Sequence, residues 1–156
     1  MTRYIISVLL IIYCSMSHSG LLPDAQREEF LSHVLKQFWG RAKLPNGQFV
    51  QPGSEAERNT SPVSKVIANR AIDIGEVSGL AEWCQLDWKK NYLSLTKSAR
   101  SNGLTDVQVA FVSVIHGASQ GFMAETMSKS GACSDDQKVK IQQLLNQSEA
   151  RALGGT

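Results

Sequence analysis

No residue between Asp106 and Glu125 carries a formal charge, and the apolar residues of this stretch recur at helical spacing. At about 100° per residue, Phe111, Val114, Ala118 and Phe122 fall on one side and Val109, Val112, Met123 and Met127 on another. A helix apolar nearly all round has to be enclosed, by lipid or by other helices. Gln108, Ser113, His116, Ser119 and Gln120 make it too polar for a comfortable single span. The expected position is therefore the centre of a helical bundle. Gly117 and Gly121, four residues apart, are expected to let a neighbouring helix approach closely.

Helical periodicity also dominates elsewhere. A first helix is expected after Pro23, with Asp24 near its N-cap, running to Trp39 and stopped by Gly40. Phe30, Leu31, Val34, Leu35 and Phe38 make its stripe, with Arg27, Glu28 and Lys36 off it. From about 40 to 61 the period fails, and Pro45-Asn46-Gly47 and Pro52-Gly53-Ser54 mark a long loop, mobile or part of a binding surface. Ser61-Pro62 is a suitable start for a second helix, with Val63, Val66, Ile67, Ile74 and Val77 on one face. Gly75 and Gly79 each cost this helix about 1 kcal/mol of propensity, which implies close packing there. Asp87 can cap a third helix with Trp88, Tyr92, Leu95 and Ala99 inside, ending near Asn102-Gly103. Thr105-x-x-Gln108 and Ser134-x-x-Gln137 are capping boxes that open a fourth and a fifth. No sustained period-two pattern and no internal repeat occur. The fold class read here is all-α, a single-domain bundle of about five helices.

The first nineteen residues read as an address. Arg3 precedes an apolar run, Tyr4 to Tyr13, and the small polar stretch Ser15-Met16-Ser17-His18-Ser19-Gly20 follows. That is the pattern of a cleaved signal peptide, and the run is too short for a membrane helix of roughly 20 residues. Cleavage before His18 or before Gly20 fits. Lipid attachment at Cys14 is disfavoured by the bulky Tyr13 before it. The chain is expected to be secreted or periplasmic, with residues 20–156 as one helical domain.

Loss of Cys14 with the leader leaves Cys84 and Cys133, and two cysteines in an oxidising compartment imply one disulfide. Closing a loop of 49 residues is worth roughly 4 kcal/mol by the chain-entropy model. There is no Cys-x-x-Cys pair for redox chemistry and no zinc-ligand spacing, so neither metal nor cofactor is expected. The formal net charge of +2 falls by one on loss of Arg3. Such a balance gives no argument for nucleic acid or for stable membrane insertion. With 42% hydrophobic and 19% charged residues, disorder is disfavoured for most of the chain.

The candidate site residues are few. His116 on the apolar fourth helix has to be hydrogen-bonded or to lose its charge. It is either a core histidine or a general base, with Gln120 one turn away and Glu125 or Asp87 as further partners. Arg70 lies beside the apolar face of the second helix and needs a carboxylate, Asp87 being one candidate, or an exit to water. Trp83, Trp88 and Tyr92 flank the cystine, where packing is the commoner role and a ligand cage the rarer one. Lys89, Lys90, Lys97 and Arg100 form a basic outer side on the third helix, either a solvated face or a surface for an acidic partner.

At the level of class, size, leader and a single cystine are similar to small exported helical inhibitors, immunity proteins and chaperones. No shared motif transfers a residue role. The expected function is a small exported non-enzymatic protein, of inhibitor, immunity, chaperone or effector type, that binds another protein. The alternative is a small secreted hydrolase with a His116-centred site. A membrane-active protein using the basic helix is a third reading.

Overall fold

Serine and threonine hydroxyls begin most of the helices. A computed structural model describes residues 21–152, so the expected leader, its cleavage points and Cys14 lie outside the described residues. The elements are α1 (Asp24–Phe38), α2 (Glu55–Arg58), α3 (Lys65–Trp83), α4 (Lys89–Ser101), α5 (Asp106–Ser128) and α6 (Asp135–Arg151). The fold is all-helical, with no strand among the described residues. Five long helices match the expected number, and α2 is one extra turn inside the long loop. Both capping boxes form completely: Thr105 with Gln108 opens α5, and Ser134 with Gln137 opens α6.

The second long helix starts later than Ser61-Pro62. The Ser61 hydroxyl instead donates to the Val63 carbonyl, and Ser64 caps α3 by accepting from the Ile67 amide at 3.3 Å. Of the expected face, Val63 and Ile74 are buried and Ile67 and Val77 half-buried, and Val66 departs from it. Val66 is 79% exposed, whereas Ala68, Ala71, Ile72, Gly75, Ser78 and Gly79 are buried. The closest approach of α3 to the α5 backbone is at Gly75 and Gly79, with the large Ile72 buried beside them.

These two helices form the central pair, with α4 and α6 against α3 and with α1 and α4 against α5. A Cβ on Gly75 would sit 2.6 Å from the His116 carbonyl oxygen and 2.8 Å from the Ser119 Cβ. One on Gly79 would sit 2.7 Å from the Met123 Cβ and would run into the Gln120 carbonyl. Gly117 and Gly121 are exposed, with nothing within 4 Å of an added Cβ. The close approach thus uses the glycines of α3, not those of α5. Gly75→Ala and Gly79→Ala are each expected to destabilise by about 1–3 kcal/mol through overpacking. Gly117→Ala and Gly121→Ala should each stabilise by up to about 1 kcal/mol through helix propensity. Urea midpoints of the four variants check the opposite signs.

Two apolar clusters surround this pair. Val34, Phe38, Trp39 and Val50 pack with Ile72, Phe111 and Ile115, and the Phe38 ring meets Phe111 edge-on at 4.9 Å. Leu80, Ala81, Cys84, Met123, Ile141 and Leu145 form the second cluster. The loop after α1 is pinned to the first. Val50 is buried, its amide donates to the Ala42 carbonyl, and the Trp39 indole donates to the Arg58 carbonyl.

The expected disulfide joins Cys84 to Cys133, with Cα atoms 5.1 Å apart. Cys84 follows α3 in a turn where the Gln85 amide donates to Glu82 and the Leu86 amide to Ala81, which places Gln85 at φ 59°. Cys133 stands just before the α6 cap. One bridge therefore ties the α3–α4 corner to the α5–α6 corner.

Candidate functional site

The α3–α5 seam is close enough for polar side chains to meet without water. His116 Nε2 lies 3.0 Å from Ser78 Oγ, and Asn91 Nδ2 donates to the same oxygen at 3.0 Å and to the Ile74 carbonyl at 3.1 Å. Because the Ile74 carbonyl can only accept, the Asn91 amide must present its NH2 there, and it can only donate to Ser78. The Ser78 hydroxyl and Nε2 share one hydrogen bond whose direction follows the imidazole tautomer. Tyr92 covers the ring with centroids 5.1 Å apart, and its hydroxyl donates to Ser113. Burial alone pushes the His116 pKa down from 6.5 to about 4.

A hydroxyl beside a neutral imidazole is the pairing used for nucleophilic catalysis. Here Ser78 is 0% exposed, His116 1% and Asn91 2%. Neither Ser78 nor His116 lines a described cleft, and the arrangement joins α3, α4 and α5 as a hydrogen-bonded lock. The partners considered from spacing are elsewhere. Gln120 donates to Glu82 at 2.6 Å, Glu125 pairs with Lys129, and Asp87 accepts from the Lys89 amide at the start of α4.

The lock carries a pH consequence. The unfolded chain binds a proton on His116 near pH 6.5, and the folded chain does so only near 4. Stability is therefore complete above about 6.5 and falls with acidification by about 1.4 kcal/mol per pH unit across that window. The full loss is about 3 kcal/mol. Urea unfolding of His116→Gln, which has no titrating ring, should lose this slope. An unchanged slope would place the acid sensitivity elsewhere.

A second buried network was not legible as such. Arg27 lies inside the fold rather than off the α1 stripe. Its guanidinium is 2.6 Å from Asp73 and 3.5 Å from Glu76, and it donates to the Leu22 carbonyl at 2.8 Å. Glu76, 1% exposed, accepts from the amides of Leu21 and Leu22 at 2.8 and 2.7 Å. Desolvation raises the Glu76 pKa, with both amides and Arg27 opposing it. The missed signal was available: Arg27 stands seven residues before Val34 and eleven before Phe38, on their face of the helix. Ser78 and Asn91 gave no comparable sign, because their partner is distant in sequence.

The outer side of α4 carries Lys89, Lys90 and Lys97, all exposed and without an ion pair among the described residues. Arg100 pairs with Asp106 at 3.0 Å. Beside them a cleft of about 470 Å³ opens between the 42–45 turn and the α4–α5 pair, walled by Leu44, Tyr92, Leu93, Thr96 and Val114. Trp83 and Trp88 lie further along, packed against the cystine cluster, and the Trp83 indole donates to Gly131 at 2.8 Å. Tyr92 lies over His116, and the Trp88 ring also faces that imidazole, with centroids 6.3 Å apart. A smaller cleft of about 210 Å³ lies between α4 and α6, with Asp87, Lys90 and Glu149 on its walls. Arg70 does not reach Asp87 and lines a third cleft, between α3 and α6. No group of three or more His, Cys, Asp or Glu among the described residues is placed to hold a metal. By length and composition α5 could cross a membrane, and here it packs against α3, α4 and α1. No family model, curated protein or solved structure matches the chain.

Proposed function

We infer that this chain is an exported, non-enzymatic protein that binds an acidic segment of another protein through the outer face of α4 and the cleft beside it. The observation that carries this reading is the juxtaposition on α4. Lysines at 89, 90 and 97, without an ion pair among the described residues, stand on the helix that supplies Tyr92, Leu93 and Thr96 to the largest of the three clefts. Leu93 is a large exposed apolar side chain at that rim. An interface core wants an apolar anchor, and surrounding charge selects and steers the partner. The cystine and the pinned loop hold this surface in one shape, which lowers the ordering cost of binding. The sealed Ser78–His116 pair speaks against hydrolysis as the main activity.

A photo-crosslinking residue at Leu93 tests the reading in the organism that makes the protein. A discrete partner adduct is expected, lost when Lys89, Lys90 and Lys97 are all changed to Glu and retained in His116→Gln. Adducts indifferent to the charge reversal would sink the proposal.

A further inference from the structure

We propose that the cleft between α3 and α6 binds a free medium-chain carboxylate, with its chain on the apolar floor and its headgroup between Arg70 and Arg151. The cleft holds about 270 Å³ and is floored by Ile74, Val77 and Leu80 of α3 and by Leu144 of α6. Arg70, half-buried, and Arg151, exposed, both line it. Neither has a carboxylate at ion-pair distance among the described residues.

Two carboxylates do line the same cleft, and both are engaged. Asp73 takes the Arg27 guanidinium, and Glu76 takes the Leu21 and Leu22 amides together with the far side of Arg27. Asp73 holds Arg27 through Oδ1 and Glu76 is enclosed, and the Arg70 and Arg151 guanidinium groups, without an ion pair among the described residues, are left for an external anion. A guanidinium presents forked donors that match a carboxylate with two hydrogen bonds. An inorganic anion would satisfy the arginines and leave the leucine and valine floor wet. A neutral hydrocarbon would cover the floor and leave the arginines as they are. An anionic amphiphile answers both. The volume lies at the lower end of ligand cavities, which favours one short chain over a two-chain lipid. This inference is independent of the α4 surface, which lies on other residues.

Decanoate, below the concentration at which it aggregates, is the probe. With the methyl groups of the purified protein labelled for NMR, Val77, Leu80 and Leu144 should shift saturably on its addition. Decanol should bind about tenfold more weakly, as expected for loss of a charge-assisted hydrogen bond. Arg70→Gln and Arg151→Gln should each weaken decanoate by a similar factor and leave decanol unchanged. Arg151 stands at the exposed end of α6, so its variant carries the test if Arg70→Gln fails to fold. Equal binding of decanol and decanoate would overturn the proposal, as would methyl groups that ignore decanoate. Shifts at these methyls on deletion of residues 153–156, with none from decanoate, would also overturn it, by assigning the cleft to the chain's own tail.

Discussion

Replacing Cys84 and Cys133 together by alanine is expected to lower the unfolding free energy by about 4 kcal/mol. The bridge closes a loop of 49 residues, and in the unfolded chain that closure removes conformational freedom which the double variant regains. The native side adds to the loss. Cys84 is buried within the cluster of Leu80, Ala81, Met123, Ile141 and Leu145, so truncation also removes apolar contact there. Five to fifteen kcal/mol is the usual range of total stability, so a deficit of about 4 is a large share of it. Equilibrium urea unfolding with and without reductant measures it. A deficit under about 1 kcal/mol would mean that the α3–α4 and α5–α6 corners stay together without the bridge, the unfolded chain being already compact.

Arg27→Met is expected to destabilise by about 3–5 kcal/mol, because it breaks a buried ion pair from one side. Methionine keeps most of the stem volume and removes the charge, leaving Glu76 and Asp73 without their cation. Glu76 is the costly one, being fully enclosed, whereas Asp73 reaches water with a third of its side chain. Its pKa already lies above the ordinary 4.5, and loss of Arg27 removes an influence that lowers it. The folded variant therefore keeps its proton to higher pH than the unfolded chain does. Stability is retained below the unfolded value near 4.5 and is lost as pH rises towards the folded value. The deficit relative to the parent protein should thus be larger at about pH 8 than at about pH 5. Chemical unfolding at both pH values checks the sign. A deficit independent of pH would mean that Glu76 is not the group left uncompensated.

Arg27 also shows where reading the chain stops short. Its register with Val34 and Phe38 puts it on the buried stripe, yet a charged residue in the first turn of a helix is normally a solvated one. Only the arrival of Asp73 and Glu76 from α3, more than forty positions away, makes burial affordable. The same applies to His116. Its enclosure is legible from the uncharged stretch around it, but the choice between catalytic base and structural lock depends on Ser78 and Asn91. Those two residues have no pattern of their own, and their role exists only where α3, α4 and α5 meet.

Helix starts and stops behave differently. Thr105 and Ser134 cap their own third residue, Gly103 closes α4, and Cys84 and Cys133, each beside a helix end, are joined. The caps are interactions within a few residues, which local chemistry is sufficient to specify, whereas the cysteine pairing is legible because these are the two that a cleaved leader would leave. Which face of each helix turns inward is a different matter for small residues. Gly75 and Gly79 are pressed against the backbone of α5, whereas Gly117 and Gly121 on α5 face open space. All four look alike in one dimension. A glycine has no side chain whose burial would choose a face, so only the packing of larger neighbours around it sets which pair lies in the seam. The uncharged segment from 107 to 124 thus requires that α5 be enclosed, and the helices brought to it from elsewhere in the chain decide on which sides.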